Sequence, residues 1–243
     1  MIYILETLKW DKNIYNIIIS MNNKLNILAV GDSHCRDYFT FISKIGYPNL
    51  KVCGVSGGTA YGLKNINSIS NTFKKILNFL EKEVNINTNK IIFLIGEGDC
   101  GYLAYCNAEK KKISINESLH LSIKHYFDFI NIIINKFPIL KNKICIMGTI
   151  LPSIDKTDEN DVAGIRYYIT NKFTKLFLTE KTLHFNKIIK EKCNELGFSY
   201  FDITQYIIKD GLLNKYFKLN NKNDHHLDPS KIYKFIITEL SLL

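Results

Sequence analysis

At 243 residues, with 46% hydrophobic and 23% charged content, the chain has the length and balance of one globular domain with a full core. Its formal net charge of +9 comes from lysines spread along the sequence. That spread reads as a solvated surface and argues against a nucleic-acid partner, which needs clustered basic residues with interleaved aromatics. No segment has the length and apolarity of a transmembrane helix, and the six cysteines include no Cys-x-x-Cys pair, which argues against a membrane span, a zinc ribbon and a thioredoxin-like site.

Residues 1–21 read as an N-terminal extension: Asp11 and Lys12 sit among aromatics, no secretory pattern is present, and Met21 is an alternative start. A single domain over 22–243 follows, and with no leader evident the expected compartment is the cytoplasm. Five apolar runs, at about 25–30, 50–55, 90–96, 143–149 and 198–203, have strand character. Helical spacing separates them. Ile69, Phe73, Ile76, Leu77 and Leu80 share one face, and a second stripe runs from Tyr126 to Phe137 and stops at Pro138. A third runs from Phe173 to Cys193 and ends at Gly197, and Tyr233, Ile236, Ile237 and Leu240 mark a last helix. Strands this apolar, alternating with helices, predict a parallel sheet covered on both faces. The fold class is α/β, a three-layer α/β/α sandwich of flavodoxin-like order with a five-stranded, mainly parallel sheet. Long connections are expected at about 97–116, holding Lys110-Lys111-Lys112, and at about 150–165, made acidic by Asp155, Asp158, Glu159 and Asp161.

The first strand runs into Gly31-Asp32-Ser33-His34 and so delivers Ser33 to the carboxyl edge of the sheet, where ligands collect in open α/β folds. Alone, that tetrapeptide reads as a helix cap. Three other segments change the balance. Gly54-Val55-Ser56-Gly57-Gly58-Thr59 follows the second strand, Gly96-Glu97-Gly98-Asp99-Cys100 the third, and Asn223-Asp224-His225-His226-Leu227-Asp228 precedes the last helix. A serine nucleophile needs an imidazole to take its proton, a carboxylate to orient that imidazole, and backbone N–H groups around the developing oxyanion. The four segments carry all of these.

In that order the segments resemble the blocks of the SGNH hydrolases, the GDSL esterase/lipase superfamily: Gly-Asp-Ser, a glycine, Gly-x-Asn-Asp, and Asp-x-x-His. The resemblance runs from about Asn26 to the C-terminus. It implies Ser33 as nucleophile, His226 as general base, and the N–H groups of Ser33 and Gly58 (or Gly57) as the oxyanion hole. It also implies the flavodoxin-like fold, no cofactor and no metal. There are three departures. Gly98 stands where the superfamily has an oxyanion-donating asparagine, and Gly101 where a related Gly-Glu-x-Asp-Cys pattern has arginine. Asn223 stands where the superfamily has aspartate, which makes Asp224 the expected partner of His226.

Asp32, Arg36, Glu97 and Asp99 are further candidates for substrate binding, with Arg36 placed to meet Asp99 or an anionic substrate. Helix capping and a salt bridge are the plainer roles for Asp32 and Arg36, and free thiols for Cys35 and Cys100. The activity implied by resemblance is hydrolysis or transfer of an acyl group, with an O-acetylated carbohydrate or similar small-molecule or glycan ester as partner. The oligomeric state is open. Two rivals are carried forward. The missing asparagine and displaced aspartate motivate a glycan-binding or scaffold protein without catalysis. Asp224-His225-His226, with Asp32 and Asp99 at strand ends, motivates a metal-dependent phosphoesterase.

Overall fold

The computed structural model describes residues 25–153, 169–220 and 224–242. The expected extension at 1–21, Arg166, Asn223 and the four acidic residues of the 150–165 connection fall outside the described residues.

Five parallel strands form the sheet: β1 (Asn26–Asp32), β2 (Leu50–Val55), β3 (Thr88–Leu94), β4 (Ile144–Met147) and β5 (Ser199–Phe201), in the order β2-β1-β3-β4-β5. This is the flavodoxin-like order expected from the sequence, and the reversal of direction falls between β1 and β3. Alternation of side chains along β1 divides the core in two. Ile27 and Ala29 face a layer that includes Tyr38, Phe39 and Ile42 of α1 (Ser33–Gly46) and Ile232, Tyr233 and Ile236 of the C-terminal helix Pro229–Ser241. Leu28 and Val30 face the opposite layer, with Phe73, Ile76 and Leu80 of α2 (Thr72–Glu83), together with Phe129, Ile130, Phe185 and Ile189. Residues 27–30 of β1, 91–94 of β3 and Ile144–Met147 of β4 are buried and read as continuous apolar runs because neither face of them meets water.

Three local readings are corrected. The stretch expected as a long loop at 97–116 is mostly helical, with a π-helical turn at Asp99–Leu103 leading into α3 (Ala104–Lys111). The lysine run therefore ends a helix: Lys112 closes it in the left-handed conformation at φ 56°. Cationic side chains favour a helix C-terminus, so the run has a local electrostatic reason. Ile69 lies before α2 rather than on it and is fully exposed.

The remaining helices follow from their ends. α4 (Ile115–Lys136) begins ahead of its Tyr126–Phe137 stripe, because Ser114 and Glu117 form a reciprocal capping box. α5 (Lys175–Leu196) is capped by Thr174 and ends at Gly197, whose φ of 71° suits a residue without a side chain. A short helix α6 (Thr204–Ile207) and a hairpin of β6 (Ile208–Lys209) and β7 (Leu212–Leu213) lead to α7 (Pro229–Ser241), capped by Asp228. No helix among the described residues is long and apolar enough to cross a membrane.

Candidate active site

β1 ends at Asp32, and α1 starts at once with Ser33, so the first helical residue stands at the carboxyl edge of the sheet. Asp32 is buried and caps α1. Its Oδ1 accepts the N–H of His34 at 2.9 Å and of Cys35 at 3.4 Å, and its Oδ2 accepts the N–H of Gly96 at 3.3 Å. The carboxylate thus ties the β1 edge to the β3 edge. Asp32 lines the cleft, but its oxygens are taken up by backbone donors, which gives it the capping role rather than one of holding substrate.

The Ser33 Oγ lies 2.8 Å from Nε2 of His226, and Nδ1 of His226 lies 2.7 Å from Oδ1 of Asp224. The displaced aspartate therefore reaches the imidazole. It does so through a tight local turn in which the same Oδ1 also accepts the His226 N–H at 2.9 Å. Burial works against the charge on Asp224, yet these two hydrogen bonds and the neighbouring imidazoles outweigh it and hold the carboxyl below its usual range. Several contacts fix the loop that carries His226. Ser153 Oγ donates to the His225 carbonyl at 2.7 Å, the Leu227 N–H reaches the Tyr38 hydroxyl at 3.3 Å, and the Asp228 N–H donates to the Phe217 carbonyl at 2.8 Å.

The two glycines expected as alternative oxyanion donors differ in their surroundings. The Gly58 N–H donates to the Val55 carbonyl at 3.0 Å and closes a tight turn, so it is engaged within its own loop. Gly57, at φ +69°, sits at the turn's bend and lines the cleft, and its N–H has no partner among the described residues. Of the two, Gly57 has the N–H that its own loop leaves unengaged.

Asp99 also departs from expectation. It is fully buried, does not line the cleft, and accepts the N–H groups of Ala60 at 2.6 Å and Tyr61 at 2.9 Å. Burial pushes its pKa up to about 6 despite those bonds. Asp99 is therefore a latch on the loop that presents Gly57, and substrate binding is not available to it. Sealed this way, it is also out of position for the strand-end metal centre of a phosphoesterase.

Arg36 does not meet Asp99. Its Nε donates to Asp37 Oδ1 at 2.7 Å and its Nη1 to Ser56 Oγ at 2.8 Å, a link between α1 and the Gly57 loop on the rim of the cleft. Glu97 does face the cleft, with Oε2 3.8 Å from Nε2 of His225. Cys35 and Cys100 are free and buried, and burial drives both thiols well above the ordinary range, the plain role anticipated for them.

The cleft is about 420 Å³ and is lined by Ser33, Gly57, Glu97, Gly98, Tyr102 and His226 among others. Sequence reasoning missed Tyr102 and Asp37. Tyr102 lines the cleft beside Gly98, where a Cβ would stand 2.9 Å from Thr59 Cγ2 and 3.4 Å from the Tyr102 hydroxyl. Asp37 places Oδ2 3.6 Å from Nε2 of His226, a second carboxylate near the imidazole. The Ser33-x-x-x-Asp37 spacing, one helical turn, was the available signal for it.

No protein-family model matches the chain, and no curated protein matches it in sequence. Solved structures do resemble it. A protein from Streptococcus pneumonia described as a platelet activating factor superimposes with a TM-score of 0.53 at 18% identity, covering 98% of this chain and 95% of its own. A GDSL-like lipase from Bacteroides thetaiotaomicron gives 0.51 at 14% identity, covering 95% and 94%. A protein from Bacteroides fragilis described as an acylhydrolase gives 0.51 at 12% identity, covering 92% and 89%. The sheet order and these likenesses agree: the chain has the fold of the GDSL/SGNH hydrolases.

Proposed function

We propose that the chain is an SGNH-type serine esterase or acyltransferase. One observation carries this reading: Ser33, His226 and Asp224 form a continuous relay at 2.8 Å and 2.7 Å, opening on a cleft at the edge of the sheet. In the mechanism that follows, Ser33 Oγ attacks the ester carbonyl carbon as Nε2 of His226 takes its proton. Asp224 holds the imidazole in orientation and stabilises the imidazolium. The N–H groups of Ser33 and Gly57 receive the oxyanion, at a start-of-helix site that favours negative charge. His226 returns the proton to the leaving alcohol, and the acyl-enzyme is cleared by water or by a second hydroxyl.

The lining is compatible with a substrate class suggested by the family resemblance. Glu97, His225 and Tyr102 bring polar groups into a cleft of about 420 Å³. That suits a small acyl group on a hydroxyl-rich alcohol, and an O-acetylated carbohydrate is the class we favour.

Gly98 supports a second reading, a glycan-binding protein without turnover, because it contributes no side-chain donor to the oxyanion. Hydrolysis of p-nitrophenyl acetate separates the two. The catalytic reading expects turnover that disappears in Ser33→Ala. Turnover unchanged in Ser33→Ala contradicts it, and saturable glycan binding without turnover in the wild type replaces it with the second reading.

A further inference from the structure

Beside the relay stand two imidazoles that the proposed mechanism does not use. His34 follows Ser33 on α1 and is buried, and His225 precedes His226 and lines the cleft. Ring centroids of His34 lie 5.2 Å from His225 and 4.5 Å from His226, and those of His225 and His226 lie 4.1 Å apart. One nitrogen from each ring falls within 4.8 Å of the other two. Carboxylates stand behind two of the rings on the Nδ1 side, Asp32 at 3.6 Å from His34 and Asp224 at 2.7 Å from His226. A carboxylate on one ring nitrogen is the arrangement that orients an imidazole to bind a metal through the other. Nδ1 of His34 is buried without a hydrogen-bond partner among the described residues, and Nε2 lies 3.4 Å from the His225 carbonyl, a long contact that the ion would displace. Glu97 borders the cluster, with Oε2 3.8 Å from Nε2 of His225.

We propose that His34, His225 and His226 bind a divalent transition-metal ion of the zinc class, with the fourth position open to water, and that this ion switches the serine site off. Three imidazoles are a donor set that suits zinc and cobalt and not magnesium or calcium. Tetrahedral zinc at about 2.1 Å from each nitrogen sets those nitrogens roughly 3.4 Å apart. The required closure is then no more than about 1.4 Å at the widest pair. Binding takes the Nε2 lone pair of His226, so the hydrogen bond to Ser33 is lost and the serine keeps its proton. This inhibitory consequence rests on the esterase reading above, whereas metal binding does not.

Cobalt(II) titrated into the full-length protein tests the site, because its visible bands report coordination and a sulfur charge-transfer band would betray the six free cysteines instead. The expected result is saturation at one equivalent with four-coordinate bands and no sulfur band. In His225→Asn, affinity falls at least about tenfold, as loss of a ligand contact requires. His34→Gln gives the same loss and guards against misfolding of either variant. Zinc over the same range is expected to block fluorophosphonate labelling of Ser33, with recovery on adding a chelator. No saturable bands, a sulfur band, or unchanged affinity in both variants overturns the site. Labelling that persists with the site filled overturns the inhibition. If the metal-free wild type is not labelled at all, the esterase reading fails, and the cobalt bands still decide the metal site.

Discussion

Asp99 and Asp224 show how neighbours set what a carboxylate does. Asp224 is held ionised by the groups it orients. Asp224→Asn keeps the size but offers His226 the wrong partner, and labelling of Ser33 is expected to slow on the order of a thousandfold or more with the fold unchanged by circular dichroism. Asp99 is the opposite case, its folded-state pKa raised by burial to about 6 from an ordinary value of 3.8. Folding therefore disfavours its charge, and the penalty is full above that folded pKa and relieved as pH falls through it. The unfolding free energy of the wild type relative to Asp99→Asn is thus expected to rise between neutral pH and about pH 4, and a pH-independent difference contradicts this. Asp99→Ala leaves the Ala60 and Tyr61 N–H groups without an acceptor, at about 1–3 kcal/mol each. It should also slow labelling, since the Gly57 loop loses its latch. The pairing of Ser33 with His226 was legible at this scale because Gly-Asp-Ser and His-Leu sit at fixed places in chain order. The role of Asp99 was not, since an acceptor near the site reads the same whether it faces the cleft or a backbone loop.

Helices and turns position these residues through contacts that leave weaker marks in the sequence. β2 passes so close to α1 that a Cβ on Gly54 would lie 2.5 Å from the Arg36 N and 2.6 Å from its Cα, so α1 and the Gly57 loop are set against each other by a missing side chain. Gly54→Ala forces backbone apart, and overpacking of this kind costs about 1–3 kcal/mol or more. A fall in Tm together with slower labelling is the expected outcome. Ser114 is the contrasting case. Its capping box starts α4 far from the cleft, so Ser114→Ala should cost about 1 kcal/mol. Tm then drops by roughly 2–4 °C with the labelling rate unchanged. The apolar stripes found α2, α4, α5 and α7, and side-chain caps at Ser114, Thr174 and Asp228 mark where the last three begin. The segment at 97–116 was misread as loop because glycines, a cysteine and a lysine run obscure its period, and a π-helical turn breaks the regular spacing.

Across the whole molecule, the hydrophobic pattern shows strands buried on both faces and alternating with helices. Runs such as Ile91-Ile92-Phe93-Leu94 alternate between two buried layers and leave no polar face to meet water. What the pattern did not contain was which loops meet at the edge. Residues from four distant segments converge there because β1 and β3 are neighbours on either side of the reversal in strand order. Only the resemblance in motif order hinted at that convergence. The central claim is that this convergence activates Ser33. Treating the purified protein with a fluorophosphonate and mapping the adduct by intact mass and peptide mass spectrometry tests it most directly. The account predicts one stoichiometric adduct on Ser33, absent in Ser33→Ala and lost in His226→Ala. No adduct under conditions that label a working serine esterase, or an adduct that survives His226→Ala, would contradict it.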